Sequence, residues 1–480
     1  MALLPAELLD SLTHTKGFDK GAFEKVHADG EQVTSVRINP LKWSMVSGQS
    51  LPAGQAGPIG GFNHLSTHNS YRGATQQTVP WCPYGFYLAE RPSFTLDPLL
   101  HAGAYYVQEA SSMFLFYLME WLSENNFFPE DKIKVLDLCA APGGKTTLLS
   151  SLSFVKLVLA NEIIKSRSAI LYENVVKWGA PNIFISNNDP KNFKNLPGYF
   201  DALVIDAPCS GSGLFRKDPD AIKEWNEDNV KLCSQRQQRI IADAYDALKQ
   251  DGILIYSTCS YSKEEDEEIL DWICENFLVS GVQVILKEDF NICEVVSDKH
   301  QAFGYRFWPD KIKGEGFFIA CFKKKDGASQ PALRTKKTVS APAAETATAA
   351  AWLKNPGGML FDIRSNEIFA FPSDIAGDYH HLSERLNIRK GGVRMGSIIK
   401  NELVPDHELA VNAVISGKIA SLELDKEQSL QFLRKENLSV DTALKGWAHV
   451  KYGKLGLGFV KLLGNRINNY YPAAWRILKP

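Results

Sequence analysis

The sequence predicts a doubly wound α/β domain at the centre of the chain, on three observations. Between Lys134 and Phe277 the short apolar runs KVLDL, VKLVLANE, NIFISNN, DALVIDAP and GILIYSTC alternate with amphipathic stretches such as KSRSAILYENVVKWG. Short runs without polar alternation read as strands of a parallel sheet covered by helices on both faces. The first run passes into a glycine-rich turn, CAAPGGKT at 139–146, and such sheets bind ligands beyond the carboxyl ends of their strands. In the last amphipathic stretch, KEEDEEILDWICENF, residues Ile269, Leu270, Ile273 and Phe277 fall on one helical face and the acidic residues on the other.

The flanks are read from composition. With 480 residues, 45% hydrophobic and 22% charged, the chain has the make-up of a globular protein of about three domains. No uninterrupted apolar run is long enough to span a membrane, and the N-terminus meets Glu7 and Asp10 at once, unlike a signal peptide. Eight cysteines form no CxxC pair, so neither a disulfide framework nor a cysteine-ligated metal is expected, and a reducing cytoplasm fits. The Ala-, Thr-, Pro- and Lys-rich segment from Lys323 to Ala351 reads as a linker. After Asp441 seven Lys/Arg follow without one acid, which makes the C-terminal end the electrostatic footprint for a polyanion although the net charge is −2.

Two readings compete at the first turn. A phosphate-cradling P-loop needs Gly-x4-Gly-Lys-Ser/Thr, and here Cys139 stands where the first glycine belongs, while Pro142 removes a backbone N–H. A nucleoside site instead uses the glycines for close approach and a carboxylate at the next strand end for a ribose diol. Glu162 closes VKLVLANE at the required distance, and Asp189 closes NIFISNND where an adenine amino group would lie. Either acid taken singly is as well explained as a turn former or cap.

Two further strand ends deliver thiols, Cys209 after DALVIDAP and Cys259 after GILIYST. Polar and small neighbours set both apart from Cys233, Cys274, Cys293 and Cys321, which read as core filling. A thiol, a carboxylate and a nucleoside-type methyl donor suit one chemistry. Carbon 5 of a pyrimidine is a poor nucleophile until a thiolate adds at carbon 6 and turns the ring into an enamine. Asp206 is suited to donate to cytosine N3 as charge builds there, and a second cysteine to assist release.

At these residues the chain resembles a known family. CAAPGGKTT at 139–147, DAPCSGSG at 206–213 with the RKDPDAIKEW segment that follows, and YSTCSYSKEEDE at 256–267 look like the motifs of the RNA cytosine-C5 methyltransferases, the Nop2/NSUN/RsmB-RsmF group. The resemblance implies a Rossmann-like methyltransferase core with Cys259 as nucleophile and Cys209 aiding release. It also implies S-adenosylmethionine held by Cys139, Ala140, Ala141, Pro142, Gly143, Gly144, Lys145, Glu162, Asp189 and Asp206. TSVRINPLK at 34–42 is similar to the family's N-terminal element, and YYVQEASSM at 105–113 resembles its helix packed behind the cofactor site. The C-terminal GWAHVKYGKLGLGFVKLLGNRINNYYPAAWR looks like the PUA-like RNA-binding tail of the bacterial RsmF branch, which acts on a small-subunit (16S) ribosomal RNA cytosine.

The resulting expectation is an α+β RNA-binding extension over 1–98, the catalytic domain over 99–322, a linker and middle segment over 323–374 and a PUA-like domain over 375–480. The product would be 5-methylcytosine in ribosomal RNA, with tRNA as the alternative substrate and a P-loop NTPase or a non-catalytic assembly factor as rivals. A flipped or single-stranded base is required for access to the ring. Arg216, Lys217, Lys451, Lys454, Lys461, Arg466 and Arg476 are the candidate phosphate contacts. Tyr452, Phe459, Tyr470, Tyr471 and Trp475 interleave with the last of these, chiefly as core. His380 and His381 are adjacent and cannot face one ligand, so no metal is assigned.

Overall fold

The chain first builds a four-stranded antiparallel sheet, in the order β2-β3-β1-β4, from β1 (Thr34–Ile38), β2 (Thr78–Val79), β3 (Cys82–Leu88) and β4 (Tyr105–Val107). A computed structural model gives this architecture and describes residues 4–47, 77–128, 132–327, 341–464 and 466–478. Strand β4 belongs to this sheet, so the boundary expected at 98/99 cuts through it. Residues 105–107 form that strand and Ser111–Met113 a single 3₁₀ turn, where a helix was expected; the first α-helix after them is Phe114–Glu124.

The central sheet follows. Strands β5 (Ile133–Asp137), β6 (Val155–Asn161), β7 (Ile183–Ser186), β8 (Phe200–Asp206) and β9 (Leu248–Thr258) run parallel in the order β7-β6-β5-β8-β9. Successive residues of each strand enter two different cores. Leu136, Leu157, Leu159, Leu203, Ile205 and Leu254 pack on one face, and Val135, Val158, Ala202, Val204, Ile253 and Ile255 on the other. Burial on both faces is why these runs lack polar alternation, and each such side chain contributes about 1.5–3 kcal/mol. Beyond β9 the sheet continues antiparallel through β13 (Phe317–Lys324), which pairs with β12 (Phe303–Phe307) and β10 (Val279–Gly281). Strand β11 (Cys293–Val296) closes that edge.

The middle segment is a folded unit, which corrects the linker reading. Met359–Arg364 (β14) and Glu367–Pro372 (β15) form a sheet with Val393–Ile399 (β17) and Glu402–Pro405 (β18), so the 374/375 boundary falls inside one sheet. Between them Ile388–Lys390 (β16) adds to the free edge of β7, and helix Ala376–Ser383 packs on the central core through Ala376, Tyr379 and Leu382. Asp378 on this helix accepts from the Tyr199 hydroxyl and pairs with Lys156 at 3.3 Å and Lys134 at 3.5 Å. The alanine-rich stretch that read as linker contains helix Ala343–Ala350, since alanine is the strongest helix former. Residues 328–340 of that stretch lie outside the described residues.

A last sheet, β19 (Ser421–Glu423), β20 (Gly446–Tyr452), β21 (Leu455–Leu462) and β22 (Ile467–Asn469), shares one apolar core with the N-terminal sheet. Val36, Ile38, Trp43 and Tyr105 meet Phe432, Val450, Leu457 and Tyr471 there. Among the described residues no helix is long and apolar enough to cross a membrane. His381 stacks on Tyr199, with ring centroids 5.1 Å apart, and no described cluster of His, Cys, Asp or Glu is placed to hold a metal.

Candidate active site

The carboxyl ends of the parallel strands lie side by side and deliver the polar residues. After β5 the chain turns through Cys139–Gly143 into helix Gly144–Leu149, with Gly143 at φ +113°, a conformation glycine tolerates. Side chains from elsewhere grip the turn by its carbonyls. Arg167 donates to Ala141 O (2.8 Å), Asn174 to Pro142 O (2.8 Å) and the Tyr106 hydroxyl to the same atom (3.1 Å). Buried Arg37 of β1 donates to Gln108 Oε1 (2.7 Å) and Thr147 Oγ1 (2.6 Å) and lies over the Trp178 ring. The N-terminal element thus locks the turn's helix in place.

This is not the geometry of a phosphate cradle. Thr146 donates to Asp137 Oδ2 (2.6 Å) and Thr147 to Gly143 O (2.8 Å). Lys145 Nζ lies 2.8 Å from Asp206 Oδ2. It is paired at the next strand end instead of reaching over the turn.

Carboxylates converge on the turn. Burial and the charges of Asp137, Asp206 and Glu162 all push the Cys139 thiol far above its usual value. Asp137 is itself raised to about 7 by burial, and its Oδ1 has no hydrogen-bond donor. Glu162, 2% exposed, accepts from Ile164 N through Oε1 (2.9 Å). Its buried Oε2 has no donor either, with Arg167 Nη1 3.5 Å away. Two orphaned buried acceptors beside a glycine turn fit S-adenosylmethionine, which brings a ribose diol and two cationic centres. Asp189 lies three residues past Ser186, the end of the strand it was expected to close. It caps the 3₁₀ segment Pro190–Asn195 by accepting from Lys191 N (3.1 Å), its other oxygen lies 3.9 Å from Lys191 Nζ, and its side chain is half-exposed.

The thiols leave β8 and β9, whose last paired residues are Asp206 and Ser257. Cys209 Sγ and Cys259 Sγ lie 3.0 Å apart. The hydrogen bond to Cys259 is the largest influence holding the Cys209 thiol well above the usual range, followed by burial and the charges of Cys259 and Glu265. Asp206 accepts from Ser257 Oγ (2.9 Å) as well as from Lys145. Gly213 donates its N–H to Cys259 O (2.9 Å), and a Cβ there would meet that oxygen at 2.8 Å.

Three acids of the run after Cys259, Glu265, Asp266 and Glu267, turn inward, against the expectation that the run lies on the face opposite the apolar one, while Glu268 is exposed as expected. Glu265 and Asp266 are fully buried: Glu265 holds both cysteine loops, and Asp266 accepts from Thr258 Oγ1 (2.6 Å) and pairs with Arg306 at 3.1 Å. Arg306 also forks onto Glu267. A partner 39 residues away explains burial of acids that the helical period alone assigns outward. Gln237, Arg37 and Asp137 were likewise not singled out, although Arg37 lay in TSVRINPLK and Asp137 in KVLDL.

Arg216 is corrected too. It is 8% exposed, donates to Glu31 O (2.6 Å) and Gly314 O (3.1 Å), and faces Glu315 at 3.8 Å. It is a buried cross-link and no phosphate contact. Lys217, Lys454 and Arg466 are exposed, Lys451 is half-buried, and Lys461 lies over the Trp447 ring at 5.2 Å. Tyr452 and Tyr471 are buried in the tail core and Phe459 in that of the preceding sheet, while Tyr470 is exposed.

Residues 126–323 match the family described as 16S rRNA methyltransferase RsmB/F, 420–477 the methyltransferase RsmF PUA domain, and 62–110 the N-terminal domain of 16S rRNA methyltransferase RsmF. A protein of Shewanella piezotolerans named ribosomal RNA small subunit methyltransferase F is 30% identical, over 82% of this chain and 84% of its own. One of that name from Psychromonas ingrahamii is 32% identical over 82% and 84%. Among solved structures, a methyltransferase homolog from Pyrococcus horikoshii aligns with TM-score 0.50 and 26% identity, covering 67% of this chain and all of that one. NSun6 of the same organism shares the fold at TM-score 0.52 and 18% identity, over 68% of this chain and 99% of its own.

Proposed function

Because the chain belongs to the RsmB/F family of 16S rRNA methyltransferases, we propose that it methylates carbon 5 of a cytosine in small-subunit ribosomal RNA through a covalent adduct on Cys259. The observation that carries this reading is the pair of thiols 3.0 Å apart on the strand ends next to the carboxylate-lined turn.

S-adenosylmethionine, when bound, supplies the methyl group. The residues that would hold it are the 139–145 turn, Glu162 through its orphaned oxygen, Asp189 and Asp206. Cys259 gives its proton to water, its sulfur adds to carbon 6 of a flipped cytosine, and the electron pair displaced from the double bond makes carbon 5 nucleophilic. Charge that builds at N3 is met by the Lys145–Asp206 pair. Asp206 already accepts from Lys145 and Ser257, so the proton it presents to N3 comes from the Lys145 ammonium beside it. Once carbon 5 carries the methyl group, its proton passes to water, the carbon 5–carbon 6 double bond reforms, the sulfur leaves with its electron pair, and N3 returns its proton to the Lys145–Asp206 pair. Cys209 keeps its proton and hydrogen-bonds the departing Cys259 sulfur.

The test is methyl transfer from labelled S-adenosylmethionine to 16S RNA and small subunits lacking 5-methylcytosine, with the product nucleoside identified by mass. Label in 5-methylcytidine supports the reading. Label in another nucleoside, or RNA binding without transfer to either substrate, rejects it.

A further inference from the structure

We propose that Glu265 is the positioning residue that holds the two thiols at reacting distance. The proposal rests on the roles given above to Cys209 and Cys259. Glu265 closes the single 3₁₀ turn Lys263–Glu265 and is 0% exposed. Its Oε1 accepts from Ser210 N (2.8 Å) and Gln237 Nε2 (3.0 Å), and its Oε2 from Ser210 Oγ (2.5 Å) and Ser260 Oγ (2.6 Å). Ser210 follows one cysteine and Ser260 follows the other. One carboxylate therefore grips the residue after each thiol.

The grip is needed because the backbone ladder between β8 and β9 ends at Asp206 and Ser257, before either thiol is reached. Past that point the loops are joined by Ala207 N to Ser257 O (2.8 Å), Gly213 N to Cys259 O (2.9 Å), Tyr261 N to Ser212 Oγ (2.9 Å), longer contacts of the Ser260 hydroxyl with those of Ser210 and Ser212, and Glu265, which alone among these binds both residues that follow the thiols through one group. Glu265 itself is anchored from behind, where the Tyr256 hydroxyl donates to its carbonyl (2.6 Å) and Gln237 also donates to Pro208 O (3.1 Å). All four donors to its carboxylate are neutral. Such charge-assisted bonds offset part of the desolvation of a buried carboxylate, although burial still leaves its pKa raised. A carboxylate held this way is costly to bury, and three of its four bonds go to the serines that follow the thiols, the fourth to Gln237 on helix Glu227–Ala244.

Placement bears most on release. Addition at carbon 6 uses the Cys259 sulfur alone, whereas release brings the Cys209 thiol to the departing sulfur, so a widened gap strikes the second event. A shift of about 1 Å at reacting groups costs on the order of 10²-fold in rate.

The experiment compares full-length wild type, Glu265→Ala and Glu265→Gln in two measurements. In the first, diamide oxidises the two thiols to a disulfide and is reduced to its hydrazine, taking up both electrons and both protons; the closure rate reads the gap. Wild type should close the 209–259 bond, Glu265→Ala about tenfold or more slowly, and Glu265→Gln should recover most of the rate because glutamine still bridges both serines. In the second, Glu265→Ala with RNA and S-adenosylmethionine should accumulate a covalent complex on a denaturing gel, as Cys209→Ala should, with S-adenosylhomocysteine affinity kept. Wild-type closure by Glu265→Ala overturns the proposal. So does joint loss of adduct and S-adenosylhomocysteine binding, which marks a merely structural residue. If Glu265→Ala does not fold, Ser210→Ala and Ser260→Ala each remove part of the grip, and wild-type closure in both overturns it. No trapped complex from Cys209→Ala would reject the cysteine roles, while closure rates would still decide the case for Glu265.

Discussion

Cys209 Sγ lies 3.0 Å from Cys259 Sγ although the residues are 50 apart in sequence. Neighbouring strands run about 4.8 Å apart, so side chains from loops that leave adjacent parallel strands and turn toward each other meet. The hydrogen bond to Cys259, burial and nearby negative charge hold the Cys209 thiol well above its usual range, which suits it to the role of the thiol that keeps its proton.

The two thiols should therefore fail differently. Cys259→Ala is expected to give neither adduct nor product, and Cys209→Ala to add and methylate but stall before elimination. The measurement is a denaturing gel of labelled RNA with each variant and S-adenosylmethionine. A trapped complex from Cys259→Ala but not Cys209→Ala would show the roles reversed.

Lys145 and Asp206 should behave as one unit. With 2.8 Å between Nζ and Oδ2, removing either partner removes the proton route to N3. Lys145→Met and Asp206→Asn are each expected to lower kcat by about 10²–10⁴-fold, and the double variant little further. Additive losses in single-turnover rates would show two independent roles.

Asp137 should make stability depend on pH in a defined sense. Burial raises its carboxyl to about 7 from an ordinary 3.8, so between those values the folded state holds a proton that the unfolded chain releases. Its contribution is full below about pH 4 and is lost as pH rises through 7. Buried His101, lowered to about 4, and His407 and His449, lowered to about 3, act with the opposite sign over part of that window. The informative quantity is thus the difference in Tm between Asp137→Asn and wild type without cofactor. It should shift in favour of the variant as pH rises from about 4 to 7. A difference independent of pH would mean that Asp137 is ionised throughout.

Arg216 and Lys454 should separate stability from RNA contact. Arg216→Ala leaves Glu315 buried without its cation and is expected to destabilise the fold by about 3–5 kcal/mol, with the salt dependence of RNA binding unchanged in what remains folded. Lys454 is exposed, and Lys454→Ala should leave Tm alone while lowering the salt slope by about 0.7 if it meets a phosphate of single-stranded RNA. Binding titrations across a salt series check both, and an unchanged slope for Lys454→Ala removes it from the interface.

The central sheet, the glycine turn and the two thiols on strand ends were legible in the sequence because they depend on local chemistry. Strands buried on both faces must be apolar throughout, a turn with φ +113° favours glycine, and a cysteine flanked by serine and glycine has little apolar packing to do. What the sequence left undecided was set by partners far along the chain. Glu265, Asp266 and Glu267 looked like a charged helical face until Ser210, Ser260 and Arg306 arrived to satisfy them. Arg216 looked like a surface cation until Glu31, Gly314 and Glu315 enclosed it. The 359–405 segment read as linker and module, and only the pairing of β16 with the free edge of β7 shows that it adds a strand to the central sheet beside a four-stranded sheet of its own. A buried charge is tolerated only where donors or counter-charges meet it, and those meetings are made by tertiary structure.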